Sequence, residues 1–291
     1  MAVPGEVPAV VRGYVDGPWG QIHYRRCGSS EAALLFFHES PLSSRTYEAV
    51  LPLLGSEFTA IAFDTPGYGL SDPPAAEGRE IPDYAAVLLA AADALGVRRF
   101  VPCGVHTGAS LALETARQAG PDRAAGAVLS GVPLLTEEER ATFLAEWAPP
   151  IGIDGEGSQY AWAIARYQRI WSPDTAPELL HLAVHDLTLN WSRYNWAYNA
   201  AFRHDPGPAL AAWPNPVLFL DAEHDMLVEH DRRAMAVVPE SSMVTVEGLP
   251  GQLPLRAPKR YAAEVAAFCA PLLSGGHAGI DPSLTTRGER P

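Results

Sequence analysis

Along the first half of the chain, short apolar runs alternate with longer stretches whose apolar positions recur every three or four residues. The pattern predicts strands at 10–16 and 21–26, turned as a hairpin through Gly17-Pro18-Trp19-Gly20. Residues 32–37 form an unbroken apolar run with no polar face, the mark of a strand covered on both sides, and 58–63, 99–103 and 125–129 repeat it. Between them, 45–54, 82–95 and 107–118 show amphipathic, helical spacing. Strand and helix in this rhythm predict right-handed crossovers and a mostly parallel central sheet with helices on both faces, an α/β fold. The rhythm resumes with strands at 216–220 and 243–246 and helices at 228–238 and 257–273.

Residues 133–205 break it. They hold no convincing buried strand, but carry five of the seven tryptophans (Trp147, Trp162, Trp171, Trp191 and Trp196) together with Tyr160, Tyr167, Tyr194 and Tyr198. This predicts a helical cap laid over the C-terminal edge of the sheet. The expected organisation is a core in two parts, 1–132 and 206–274, a cap at 133–205, and a mobile Gly/Ser/Pro-rich tail at 275–291.

With 291 residues, 47% hydrophobic and 19% charged, the chain has core enough for one large α/β domain with such an insertion. A net charge of -13 argues against a nucleic-acid partner, which needs a basic face, and against an anionic membrane surface. No run approaches the roughly 18 apolar residues of a membrane helix. Residues 1–20 lack the basic start and apolar centre of a secretory leader. Cys27, Cys103 and Cys269 are odd in number and scattered, which suits neither a disulfide framework nor a metal site and is expected of a cytoplasmic protein.

In an open parallel sheet, ligands bind where loops gather at the carboxyl ends of the strands. The loops there begin with His38-Glu39-Ser40-Pro41, then Asp64-Thr65-Pro66-Gly67-Tyr68-Gly69-Leu70-Ser71, then Gly104-Val105-His106-Thr107-Gly108. Asp221-Ala222-Glu223-His224-Asp225 and Gly251-Gln252-Leu253-Pro254 follow near the C-terminus. In this order the segments resemble the α/β-hydrolase superfamily over nearly the whole chain. They match its His-Gly-x-Pro loop, its D-x-P-G-x-G-x-S turn, its nucleophile elbow, and the loops that deliver its acid and its histidine.

The departures carry the chemistry. The elbow of that superfamily presents Ser, Cys or Asp, and here it presents His106. Gln252 stands where the resemblance implies the histidine, and Asp225 alone keeps the acid's place. A shifted register with Ser110 at the turn shortens the following helix before Pro121 and forces Gly104 to Gly108 into a central strand, where glycine is costly. Ser110 therefore reads as a satisfied, core-facing hydroxyl. An amide cannot take a proton from a hydroxyl at neutral pH, and losing one member of a serine triad removes on the order of a millionfold in turnover, about 8 kcal/mol. That argues against an ordinary acyl-serine esterase.

What remains is an imidazole with an ordinary pKa of about 6.5, a capable general base, which the adjoining helix N-terminus is expected to keep neutral. Gln252 is placed to orient the ring, with Asp225 behind it or offering a separate carboxylate. Glu39, in place of a family glycine, adds a carboxylate to the pocket, and the resemblance assigns His38 to support of the oxyanion loop. It also implies an oxyanion hole from the backbone N–H groups of Ser40 and Thr107. The pocket aromatics expected are Trp147, Trp191, Tyr194 and Tyr198, which suit an apolar or aromatic small molecule. His181, His185, His204, His224 and His230 read as surface or helix-face residues; no metal and no organic cofactor is expected.

The expected activity is hydrolysis by base-activated water, or elimination, cyclisation or decarboxylation, with His106 as base. The alternatives are attack by His106 itself and a ligand-binding protein that has lost catalysis. The sequence leaves the natural substrate and the oligomeric state open.

Overall fold

A computed structural model describes residues 8–274; the predicted tail at 275–291 lies outside them. The hairpin forms from β1 (Val11–Gly17) and β2 (Gly20–Cys27). Then come β3 (Ala33–Phe37), α1 (Leu51–Leu54), β4 (Thr59–Phe63), α2 (Ile81–Ala94), β5 (Phe100–Val105), α3 (Thr107–Ala119) and β6 (Ala127–Ser130). Four helices intervene: α4 (Glu137–Glu146), α5 (Ser158–Trp171), α6 (Pro177–Leu189) and α7 (Trp196–Arg203). The chain closes with α8 (Gly207–Ala212), β7 (Val217–Ala222), α9 (Val228–Met235), β8 (Ser241–Val246), α10 (Leu253–Arg256) and α11 (Pro258–Ser274).

The eight strands make one sheet in the order β1-β2-β4-β3-β5-β6-β7-β8. β2 runs antiparallel to both its neighbours, and every pairing from β4 to β8 is parallel. The unbroken apolar runs are explained by two cores. Leu35 and Phe37 point into the core under α2 and α3, while Leu34 and Phe36 point into the opposite core under α1 and α11. Alternating side chains then give no polar face to read.

Two predicted boundaries move. The helix expected at 45–54 is a 3-10 turn at Ser44–Tyr47 followed by α1, with Pro52 in its first turn. Strand β5 runs on to Val105, so Gly104 lies inside the strand rather than in the turn. A Cβ on Gly104 would stand 2.0 Å from the Gly108 carbonyl oxygen, so this glycine admits helix α3 against the sheet.

The α4–α7 layer has its own apolar cluster, in which Tyr167, Trp171, Leu187 and Tyr194 are buried. It is tied to the loop after β4: the Ala197 N–H donates to the Tyr68 hydroxyl at 2.8 Å, and that hydroxyl donates to the Tyr194 carbonyl at 3.0 Å. It is tied to the loop after β3 as well, where the Ser43 hydroxyl donates to buried Asp186 of α6 at 2.6 Å. Among the described residues no helix is long and apolar enough to cross a membrane.

Gly108 is held as closely as Gly104 in the scaffold under the elbow. Its Cβ would meet the Phe37 carbonyl oxygen at 2.0 Å, whereas one on Gly152 meets nothing within 4 Å. In denaturant unfolding, Gly108→Ala should cost about 3 kcal/mol or more, and Gly152→Ala should stay within about 0.5 kcal/mol of the native protein.

Candidate active site

The turn between β5 and α3 holds His106 at φ 50° and ψ -113°, a conformation that L-residues rarely adopt. Packing over-determines it. The His106 N–H donates to the Ser130 carbonyl at 2.8 Å, and the Ala109 N–H donates back to the His106 carbonyl at 2.8 Å. Gly131, at the end of β6, leaves room for the ring: a Cβ there would lie 2.3 Å from His106 Cδ2. The side chain is thereby lifted to the cavity wall, while Ser110 is fully buried within α3. The Ser110 hydroxyl has no hydrogen-bond partner among the described residues, contrary to the satisfied hydroxyl expected.

Both ring nitrogens meet carboxylates. Nδ1 lies 2.8 Å from Glu39 Oε2, and Nε2 lies 3.0 Å from each oxygen of Asp225. Side-chain exposure is 12% for His106, 7% for Glu39 and 6% for Asp225, so water screens these pairs weakly. Burial alone works against the imidazolium, but Asp225 and then Glu39 outweigh it and hold the ring well above its usual 6.5. Burial likewise opposes the Asp225 carboxylate, and the facing His106 charge with its hydrogen bond holds it below its ordinary range.

The expectation of a neutral ring is therefore overturned. A helix N-terminus acts on a nearby charge by about 0.3–1 kcal/mol, while a hydrogen bond to a charged partner contributes about 1.5–3 kcal/mol. Two such partners decide the outcome. The expected intermediary is corrected too: Asp225 reaches the ring directly, and Gln252 Oε1 is buried with no hydrogen-bond partner. Gln252 does occupy the wall of the same cavity, in a left-handed conformation at φ 49°.

Behind the ring stand two more carboxyls. The Gly131 N–H donates to Asp231 Oδ2 at 2.6 Å and faces Asp221 Oδ1 at 3.2 Å, and the Val132 N–H donates to Asp231 Oδ1 at 2.7 Å. Burial pushes both acids up, and the neighbouring Asp231 carboxylate raises Asp221 further, so the pair retains a proton and spares the site a second anion. Their backbone bonds fix Gly131, and Gly131 fixes the ring.

His38 organises the opposite loop. Its Nε2 accepts the Thr65 N–H at 3.0 Å, which leaves Nδ1 protonated to donate to the Glu39 carbonyl at 2.9 Å. Burial pushes its pKa down, in keeping with this neutral tautomer. The next residue is Ser40. Neither its N–H nor that of Thr107, the first residue of α3, is bonded to a described residue. Both residues line the cavity.

That cavity has a volume of about 220 Å³ and brings together Glu39, Ser40, His106, Thr107, Trp147, Tyr198, Asp225 and Gln252. Two expected aromatics are elsewhere. Tyr194 is buried in the helical layer, edge-on to Trp162, with its hydroxyl donated to the Pro149 carbonyl. Trp191 is half-buried outside the lining. The wall also holds Phe143, Tyr167, Trp171, Phe202 and His224, which the sequence reading did not assign to it. Tyr167 and Trp171 sit four apart on α5, and that shared helix face was the available signal. His230, expected on a helix face, is buried.

The ring's elevated pKa fixes a pH window. Folding raises it above the unfolded value near 6.5, so its contribution is complete below that pH and is lost as pH climbs through the folded value. The contribution of Asp225 runs the other way and is lost as pH falls through its lowered value. By NMR titration the His106 midpoint should lie well above 6.5. Asp225→Asn should lower it by about one unit or more and destabilise the protein most between those two values.

A sequence profile of the alpha/beta hydrolase family matches residues 34–264. Haloalkane dehalogenase 2 of Mycobacterium bovis is 32% identical over 116 residues, 40% of each chain, so the match spans well under half the length of that curated relative. Two solved structures share the fold: a bromoperoxidase from Bacillus anthracis, with 18% identity and TM-score 0.74 over 90% of this chain and 100% of its own, and a thermophilic esterase from Thermogutta terrifontis, with 22% identity and TM-score 0.72 over 90% and 99%. With the profile covering most of its length, an eight-stranded sheet of this topology and an elbow after β5, the chain belongs to the α/β-hydrolase family.

Proposed function

We propose that this protein is an enzyme that binds an apolar or aromatic small molecule between the carboxyl edge of the sheet and a helical cap, and acts on it by proton transfer without a Ser-His-Asp triad. The observation that supports this reading above the others is the imidazole at the elbow, bridging two buried carboxylates at 2.8 and 3.0 Å on the wall of an aromatic cavity. Glu39, His106 and Asp225 act as one unit. With the ring charged between two carboxylates the unit carries one net negative charge and takes up one further proton, returning it when the product forms. The N–H groups of Ser40 and Thr107 receive the negative charge that develops on the substrate.

The reaction class that fits is hydrolysis by activated water, the commonest outcome on this fold, or an elimination, cyclisation or decarboxylation begun by the same proton transfer. Attack by His106 itself is disfavoured. Both ring nitrogens face carboxylates, so the charged ring has no free lone pair to offer carbon.

Conversion of a panel of activated aryl esters, epoxides and hydroxylated aromatic ketones tests the reading. His106→Ala should lower turnover about a hundredfold or more, and unchanged turnover would overturn the assignment. Compounds held tightly and never converted would make the protein a binder rather than an enzyme. A serine-directed fluorophosphonate should leave the native chain unlabelled. The double variant His106→Ser with Gln252→His should become labelled, because residues 106, 225 and 252 already line the same cavity.

A further inference from the structure

Among the buried side-chain atoms of the described residues without a hydrogen-bond partner, only two are carboxylate oxygens: Glu39 Oε1 and Asp221 Oδ2. Burial and the neighbouring Asp231 carboxylate raise the Asp221 pKa, so that carboxyl keeps its proton. Glu39 Oε1 has no such neighbour. Its twin oxygen is held by His106 Nδ1 at 2.8 Å, and the residue lines the cavity. A buried anionic oxygen left without a donor is among the costliest arrangements a core can hold. The residue that carries this one belongs to the cavity wall.

Its surroundings narrow the chemistry. His106 has both nitrogens engaged, so the ring offers a substrate proton no acceptor. The next residue along the chain is Ser40, whose N–H is unbonded among the described residues, and Thr107 adds a second such N–H. The remaining unpaired atoms of this lining, Ser40 Oγ, the Tyr167 hydroxyl and Gln252 Oε1, are all capable acceptors. The walls are rings: Phe143, Trp147, Trp171 and Tyr198. A fitting ligand is therefore flat and apolar, with a proton to donate at one edge.

We infer that Glu39 is the catalytic residue that receives the substrate's proton, and that the substrate is an aromatic molecule bearing a phenol-type hydroxyl. The inference rests on the proposed function and names the entry atom and ligand class within it. In the step, the substrate O–H bond breaks and its proton bonds to Glu39 Oε1. The electron pair stays on the substrate oxygen as a phenolate. Negative charge passes from Glu39 to the substrate, where the Ser40 and Thr107 N–H groups meet it, and no further reactant is consumed. His106 holds the carboxylate in place through Oε2, and Asp225 holds His106.

Paired probes test this without knowledge of the natural substrate. Para-nitrophenol carries the hydroxyl, and para-nitroanisole replaces its proton with a methyl group. At a pH where the free phenol is neutral, the native protein should bind the phenol about tenfold or more tightly than the ether, and the bound phenol should show the absorbance band of the phenolate. In Glu39→Gln the preference should fall to near unity and the band should vanish. Equal binding of the two probes by the native protein would overturn the inference, and that arm needs no variant. Glu39→Gln retaining both band and preference would overturn it as well. If that happened while His106→Ala still abolished turnover, the proposed function would stand and Glu39 alone would lose its role. Full turnover in His106→Ala would instead remove the proposed function itself.

Discussion

A cationic ring clasped by two buried carboxylates is the constraint around which the rest of this site is arranged. Separate Glu39 from His106, or Asp225 from His106, and an anion is left in a nearly dry wall, at a cost of several kcal/mol. The loops after β3, β5 and β7 are thereby held to one another through a single side chain. Everything nearby is consistent with preserving that contact. His38 is fixed in one tautomer against the Glu39 carbonyl, Gly131 gives the ring its space, and the Asp221–Asp231 pair keeps a proton rather than placing another charge beside it.

The family's usual arrangement is replaced by one of different logic. A serine triad separates nucleophile, base and acid along a line. Here the residue at the elbow is the centre of the line, with a carboxylate on either side. Under the proposed function such a group would hold and pass protons and make no acyl-enzyme. Beside the elbow the N–H groups of Ser40 and Thr107 stay unbonded to described residues, and donors of that kind can meet a phenolate or enolate as readily as a tetrahedral intermediate.

Much of the scaffold was legible in the sequence. Strands β3 to β7 announced themselves because both their faces are covered, and the elbow did so because glycine at 104 and 108 brackets residue 106. Asp225 and Gln252 could be placed by their order after the strands. The pairing of Glu39 with His106 could not. The two are distant in the chain, and only side-chain reach across adjacent strand ends joins them. The ring's charge was misread for the same cause, since a weak local field from the helix was visible and two strong, non-local ones were not. Crowded aromatics at 191–198 suggested a pocket wall, but density of rings carries no direction. Tyr198 faces the cavity, while Tyr194, four positions earlier, packs into the helical layer.

The sharp turn at residue 106 is shaped by contacts among main chains: Gly104 on Gly108, and Gly108 on Phe37, with distances too short for any side chain between them. The path of the main chain there is therefore set apart from the side chain it carries, although Gly131 is fitted to the ring. A lineage can exchange the tool at that position, hydroxyl for imidazole, without rebuilding its mount, and adapt the loops around it afterwards. A mount built from main chain leaves the choice of reactive group to the loops around it, so chemistry can vary here more freely than architecture.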